Sequence, residues 1–211
     1  MSRDQLSRYF ELFVMLVRGT IYQIVGLHWR GWILLGPGAR IRGMKNVHLK
    51  GVIKIGAYAL LDARFCHGIT LGNRCSIGDY SVMRASGSEK FISPGIRLGN
   101  HVTFGPYCNI GGGYGMEIGD NCIFGPYVSL HPEGHNFSDP EIPIRDQGIS
   151  GTGIKIKEDC WFGAKVCVLD GAVVEKGCVI AAGAVLTGKT FEPDGIYLGV
   201  PARWFKSRTV A

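Results

Sequence analysis

Every sixth residue from Ile156 to Leu186 is aliphatic or aromatic: Ile156, Phe162, Val168, Val174, Ile180 and Leu186. Shorter runs with the same period precede it, at Leu71, Ile77 and Met83, at Leu98, Phe104 and Ile110, and at Ile118, Phe124 and Leu130. A lone strand alternates every two residues and an amphipathic helix drifts at 3.6, so neither holds this phase. A fixed period of this kind predicts a solenoid, in which each coil buries its apolar face only against its neighbours. Glycine often follows the apolar residue, as at Gly72, Gly78, Gly99, Gly105, Gly119, Gly125 and Gly163, where a tight corner is expected to need unusual dihedrals. Four positions after the apolar residue the side chain is small, and five of the seven cysteines (Cys75, Cys108, Cys122, Cys160 and Cys178) fall there. They are expected to be reduced core thiols, which fits a cytoplasmic protein better than a secreted disulfide scaffold.

The period breaks three times. Residues 85–90 and the run Gly111-Gly112-Gly113-Tyr114-Gly115 read as a small surface loop and a tight bulge; no helix follows the glycines to cradle a phosphate. The longest break, residues 131–153 (HPEGHNFSDPEIPIRDQGISGTG), has no apolar period, must leave the solenoid, and holds two of the six histidines. Extruded loops on rigid scaffolds are where chemistry concentrates. The bland alternative is that His131 and His135 only hydrogen-bond the loop backbone.

The hexads together with GHNFSDPEIPIRDQG and the resumed run IKIKEDCWFGAKV resemble the hexapeptide-repeat acyltransferases, in the branch of maltose, galactoside and bacterial polysaccharide O-acetyltransferases. The resemblance implies an all-β fold, a left-handed parallel β-helix over residues 45–203. It carries the extruded active-site loop 131–153, an N-terminal helical segment over 1–44 and a basic tail over 204–211. It implies acetyl transfer from acetyl-coenzyme A to a sugar hydroxyl, without a metal, at sites between the subunits of a homotrimer. His135 takes the place of the family's general base, with His131 as competitor. A base with a pKa near the working pH suits attack by a hydroxyl. No Gly-x-Ser-x-Gly elbow offers a covalent route.

On the same resemblance, a backbone N–H near Gly163 and Ala164 faces the thioester carbonyl with Trp161 close by, and coenzyme A runs past Ala182, Gly183, Thr187 and Lys189. Arg203 and Lys206 stand where relatives hold the coenzyme's phosphates, though for Lys206 a solvated tail is as good a reading and for Arg208 a better one. Tyr107, His131 and Asn136 are the implied acceptor contacts. Gly105 and Tyr107 occupy the place of a polar acceptor contact in the maltose and galactoside enzymes, so a different sugar is expected. Asp139 either orients His135 or, by default, starts a turn.

The net charge of +6 favours anionic partners, but no recognition helix or zinc-type cysteine pairing points to nucleic acid. Phe10, Phe13, Val14, Val17, Ile21, Ile24 and Val25 predict an amphipathic helix begun by Ser2 or Asp4. Arg18, Gly19, Gln23 and Arg30 interrupt the apolar stretch before it could span a bilayer, and no signal-peptide cleavage site follows. With Arg3, Arg8, Trp29 and Trp32, the helix suits either a cap on the solenoid or the inner face of a membrane, where a lipid-linked acceptor would lie. Two other readings stand beside the O-acetyltransferase: an amino-sugar N-acetyltransferase, which usually brings a nucleotide-binding domain, and a non-catalytic trimeric scaffold or zinc enzyme. For zinc, His67, His101, His131 and His135 do not share a phase.

Overall fold

The computed structural model describes residues 3–25, 31–86 and 89–208; Ser2, Trp29, Arg30, Gly87 and Ser88, and the side chains of Arg3 and Val25, lie outside what it describes. The hexads wind into a three-sided left-handed parallel β-helix. The first face runs from Trp32–Leu35 through Val52–Ile55, Thr103–Phe104 and Trp161–Phe162 to Gly195–Leu198. The second runs from Arg40–Arg42 to Val185–Leu186, and the third from Val47–Leu49 to Thr190–Phe191. Within each face every coil pairs in parallel with the next, as in Asn109↔Ser129↔Cys167 on the second.

The period-six residues point inward and stack coil on coil. Phe104, Phe124 and Phe162 lie with ring centroids 4.4 and 4.6 Å apart, and all three are buried. The seven cysteines are free thiols, six of them buried.

The corners work differently from the expectation. The glycines that follow the core residues do not have positive φ; their absent side chains allow the next coil to come close. A Cβ on Gly78 would stand 2.3 Å from the carbonyl oxygen of Gly105. The left-handed backbone falls two residues later, on side chains that are not glycine: Arg74, Tyr80, His101, Tyr107, Asn121, Tyr127 and Lys165 all have φ between 57° and 60°. Four tyrosines in this role, Tyr58, Tyr80, Tyr107 and Tyr127, form a continuous stack along one edge, at 5.3, 5.2 and 5.0 Å.

The coils begin earlier than residue 45. Leu35, Ile41 and Val47 are already buried core positions six apart. Beyond residue 203 the chain does not trail away: Arg203–Ser207 returns antiparallel along Gly195–Leu198.

An α-helix, α1 (Arg3–Val25), lies against the first coil. It packs with Met15, Gly19 and Gln23, which are buried at i, i+4 and i+8. Gly19 is needed at that crossing, since a Cβ there would meet the carbonyl oxygen of Ile33. The Tyr22 hydroxyl donates to the Ile41 carbonyl and accepts from the Ile41 N–H at 3.1 Å. The apolar residues read from the sequence as one face are mostly on the other side: Phe10, Phe13, Val17, Ile21 and Ile24 are exposed. Among the described residues, no helix is long and apolar enough to cross a membrane.

Candidate active site

The long break leaves the second face after Ser129–His131 and returns at Ile154–Ile156 on the third. A short antiparallel pair, Gly134–His135 with Ile149–Ser150, makes its stem. Asn136 closes the stem: its N–H donates to Gly148 O at 3.0 Å, its Nδ2 to Gln147 O at 3.1 Å, and its Oδ1 accepts from Ser150 Oγ at 2.7 Å. That amide holds the loop, and Asn136 also lines the cleft beside His135. Asp139 takes the turn reading, accepting from Glu141 N–H at 2.9 Å, and Gln147 Nε2 bridges Asp139 O and Ile142 O across the loop tip.

The stem and the coil beneath it enclose an open cleft of about 520 Å³ lined by Glu133, His135, Phe137, Leu169, Asp170 and Gly188, among others. His135 is exposed in it, and among the described residues its ring has no hydrogen-bond partner. Burial pushes the Glu133 carboxyl above its ordinary range; His135 and His131 pull it down and Asp170 pushes it up. Asp170 is fixed by the Thr152 and Gly153 N–H groups, each at 2.8 Å, and so anchors the returning end of the loop. Neither carboxylate was singled out in the sequence: Glu133 was hidden in plain view inside HPEGH, and Asp170 stands in the hexad run with nothing local to mark it. His131, half-buried on the outer side of the second face opposite Leu169, lies beside the cleft's floor.

The residues expected to bind coenzyme A do not all gather around His135 in one chain. Gly163, Ala164, Ala182 and Gly183 come together at the corner between the first and second faces, where Gly183 N–H donates to Ala164 O at 2.9 Å. Gly163 N–H is already engaged with Ile180 O at 2.8 Å, so of the two expected oxyanion donors only that of Ala164 lacks a backbone partner among the described residues. Trp161 is 54% exposed on the outer side of the first face, between Ile123 and Val179. Tyr107 belongs to the tyrosine stack on this same corner and does not line the histidine cleft.

Thr187 and Lys189 flank Gly188 at the cleft's upper end. The Lys189 ammonium donates to Ala202 O at 3.1 Å and sits over the Phe191 ring. Arg203 and Lys206 are exposed on the last strand. Arg208 is no solvated tail: it pairs with Asp159 at 2.8 Å and donates to Gly177 O.

Comparison with known proteins agrees with this architecture. Residues 153–188 match the bacterial transferase hexapeptide family of six repeats. The chain carries that repeat and folds as a left-handed parallel β-helix. It is 32% identical over 183 residues to "Probable acetyltransferase Rv3034c" of Mycobacterium tuberculosis, covering 86% of this chain and 52% of that protein. The chain thus spans about half the length of that relative. Among solved structures it resembles a hexapeptide-repeat acetyltransferase of Vibrio cholerae complexed with acetyl coenzyme A, with TM-score 0.57 and 23% identity over 66% of this chain and 71% of that one. It also resembles AntD, an N-acyltransferase of Bacillus cereus in complex with dTDP and coenzyme A, with TM-score 0.52 and 16% identity over 85% and 82%. These two likenesses bear on the fold. Among the described residues, no three His, Cys, Asp or Glu side chains converge as metal ligands.

Proposed function

We propose that this protein is an acetyl-coenzyme A-dependent O-acetyltransferase acting on a sugar hydroxyl of a bacterial surface polysaccharide or its precursor, with His135 as general base. The observation that carries the reading is His135 held on a two-residue strand at the mouth of an open cleft, with Glu133 and Asp170 beside it. The names of the relatives and the coenzymes in the solved structures support it. The coenzyme supplies the acetyl group as a thioester. The His135 imidazole takes the proton of the attacking hydroxyl as its oxygen bonds to the acetyl carbon, then returns that proton to the departing sulfur. Glu133, whose carboxyl burial holds above its ordinary range, lies beside the imidazole in the same cleft.

The second half of the site comes from a neighbouring copy. His135 and the Gly163–Gly183 corner lie on different edges of one prism, so they meet only when the corner of one protomer enters the cleft of the next. Repetition of that unlike contact closes as a ring, and three copies of a three-sided prism make the homotrimer expected of this fold. The Ala164 N–H then faces the thioester oxygen, and Arg203 and Lys206 attract the coenzyme's phosphates.

Exposed Phe10, Phe13, Val17, Ile21 and Ile24 beside Arg8 and Arg18 on α1 suit the cytoplasmic face of a membrane. Thiol release from acetyl-coenzyme A, measured with a panel of sugars, amino sugars and polysaccharides, tests the proposal. Release that depends on a hydroxyl acceptor and falls 10²–10⁴-fold (an order-of-magnitude expectation for loss of a general base) in His135→Ala supports it. Release only with amino sugars makes the protein an N-acetyltransferase, and undiminished release in the variant removes His135 from the chemistry.

A further inference from the structure

A second cluster of charge lies on the same face as His131, several coils nearer α1. Asp62 ends the strand Leu60–Asp62, and its carboxylate, only 2% exposed, is ringed by three arginines. Arg64 grips it in a fork, Nε to Oδ1 at 3.0 Å and Nη2 to Oδ2 at 2.8 Å, and holds its pKa below the ordinary value. Arg42 and Arg84 approach only to 3.9 Å, and their side chains remain 43% and 46% exposed. Among the described residues neither guanidinium makes a hydrogen bond.

One buried carboxylate needs one partner, and Arg64 already fills that role with the stronger forked geometry. Two further guanidiniums at that range and exposure add little to folding. They leave an excess of two positive charges, spread in a fan whose base is fixed by Asp62. Arg42, Asp62, Arg84 and Gly111 are consecutive rungs of one outward column. His131 follows Leu130, the partner of Ile110, and so takes the next rung. Neighbouring strands lie about 4.8 Å apart, so Arg84 stands about 10 Å from His131 along this column. The rung between them is Gly111, which has no side chain of its own, with the ring of Pro132 beside it.

We propose that Arg42 and Arg84 form a phosphate subsite for the acceptor, making it a glycosyl phosphate or diphosphate whose sugar reaches up the column into the His135 cleft. This rests on the acceptor reading of that cleft. The anionic group belongs either to a soluble nucleotide or to a lipid carrier, and the exposed apolar side of α1 lies at the same end of the solenoid.

The test is calorimetric titration of inorganic pyrophosphate into the full chain with the coenzyme site filled by coenzyme A. The double variant Arg42→Gln/Arg84→Gln should bind pyrophosphate at least about tenfold more weakly, the loss of charge-assisted hydrogen bonds, with unchanged thermal unfolding. Arg97→Gln, at an exposed arginine that pairs with Glu117 on the third face, should bind as the wild type does. Equal affinity in the double variant overturns the subsite. Competition then assigns the source: displacement by a nucleoside diphospho-sugar points to the soluble acceptor, displacement by a detergent-dispersed polyprenyl diphospho-saccharide to the lipid-linked one, and displacement by neither overturns the assignment. Because binding is read without turnover, a subsite that binds in a protein that transfers nothing would separate this inference from the transferase reading.

Discussion

At the scale of single residues, each corner splits its work between two positions. Gly78 lets the coils close, while Tyr80 takes the left-handed backbone that sequence reasoning assigns to glycine. The distinction has a consequence for mutation. A methyl on Gly78 meets backbone, which cannot rotate aside as a flexible side chain does, so Gly78→Ala should destabilise by about 2 kcal/mol or more. A urea unfolding midpoint equal to that of the wild type would show that the coils can separate there at no cost. Glu133 and Asp170 illustrate what single-residue reading misses. Their roles depend on Gly134–His135 folding back against Ile149–Ser150, and nothing in a string of letters reports that a loop returns to its own root. The Arg42–Asp62–Arg84 column was equally invisible, because its members are 20 and 22 residues apart by register, a separation set by one full coil plus irregular corners.

At the scale of elements, the β-helix was legible because its signal is local and repeated. Six residues make one side and one corner, and each core position from Leu71 to Leu186 could be read without knowing its neighbour in space. The first coil escaped notice even though Leu35, Ile41 and Val47 keep the period, since the apolar sequence before it reads as one amphipathic segment. The side on which α1 docks was also out of reach: a small residue at Gly19 and the hydroxyl of Tyr22 decide it, against a broader apolar face that points outward. The tyrosine stack is the other element the period concealed, because its residues are polar enough to pass as surface. Tyr107 lies between two rings at 5.2 and 5.0 Å, and each such contact contributes about 0.5–1.5 kcal/mol beyond area burial. Tyr107→Ala should therefore lower stability by roughly 1–3 kcal/mol, and Tyr58→Ala, at the end of the stack with one tyrosine neighbour, by about half as much. Equal losses in the two variants, measured by chemical denaturation, would mean that stacking is not what the edge supplies.

At the scale of the whole molecule, the separation of the two proposed half-sites makes a prediction that no single-chain experiment can imitate. His135 lies by the corner between the second and third faces, and Ala164, Ala182 and Gly183 lie by the corner between the first and second. A prism is stiff, because every coil is hydrogen-bonded to the next, so no hinge brings these edges together within one copy. Two inactive variants should then complement each other. His135→Ala keeps an intact coenzyme corner, and Ala182→Trp, bulky at an exposed corner position, keeps an intact histidine. Unfolded, mixed in equal amounts and refolded together, they should give about a quarter of wild-type activity, since each interface has one chance in four of joining a good cleft to a good corner in a ring. Separately refolded proteins mixed afterwards should give none until subunits exchange. Absence of activity in the co-refolded sample, with both variants folded and trimeric by sedimentation, would place the whole site in one chain and require His135 to act with a coenzyme bound along its own edge, past Thr187 and Lys189.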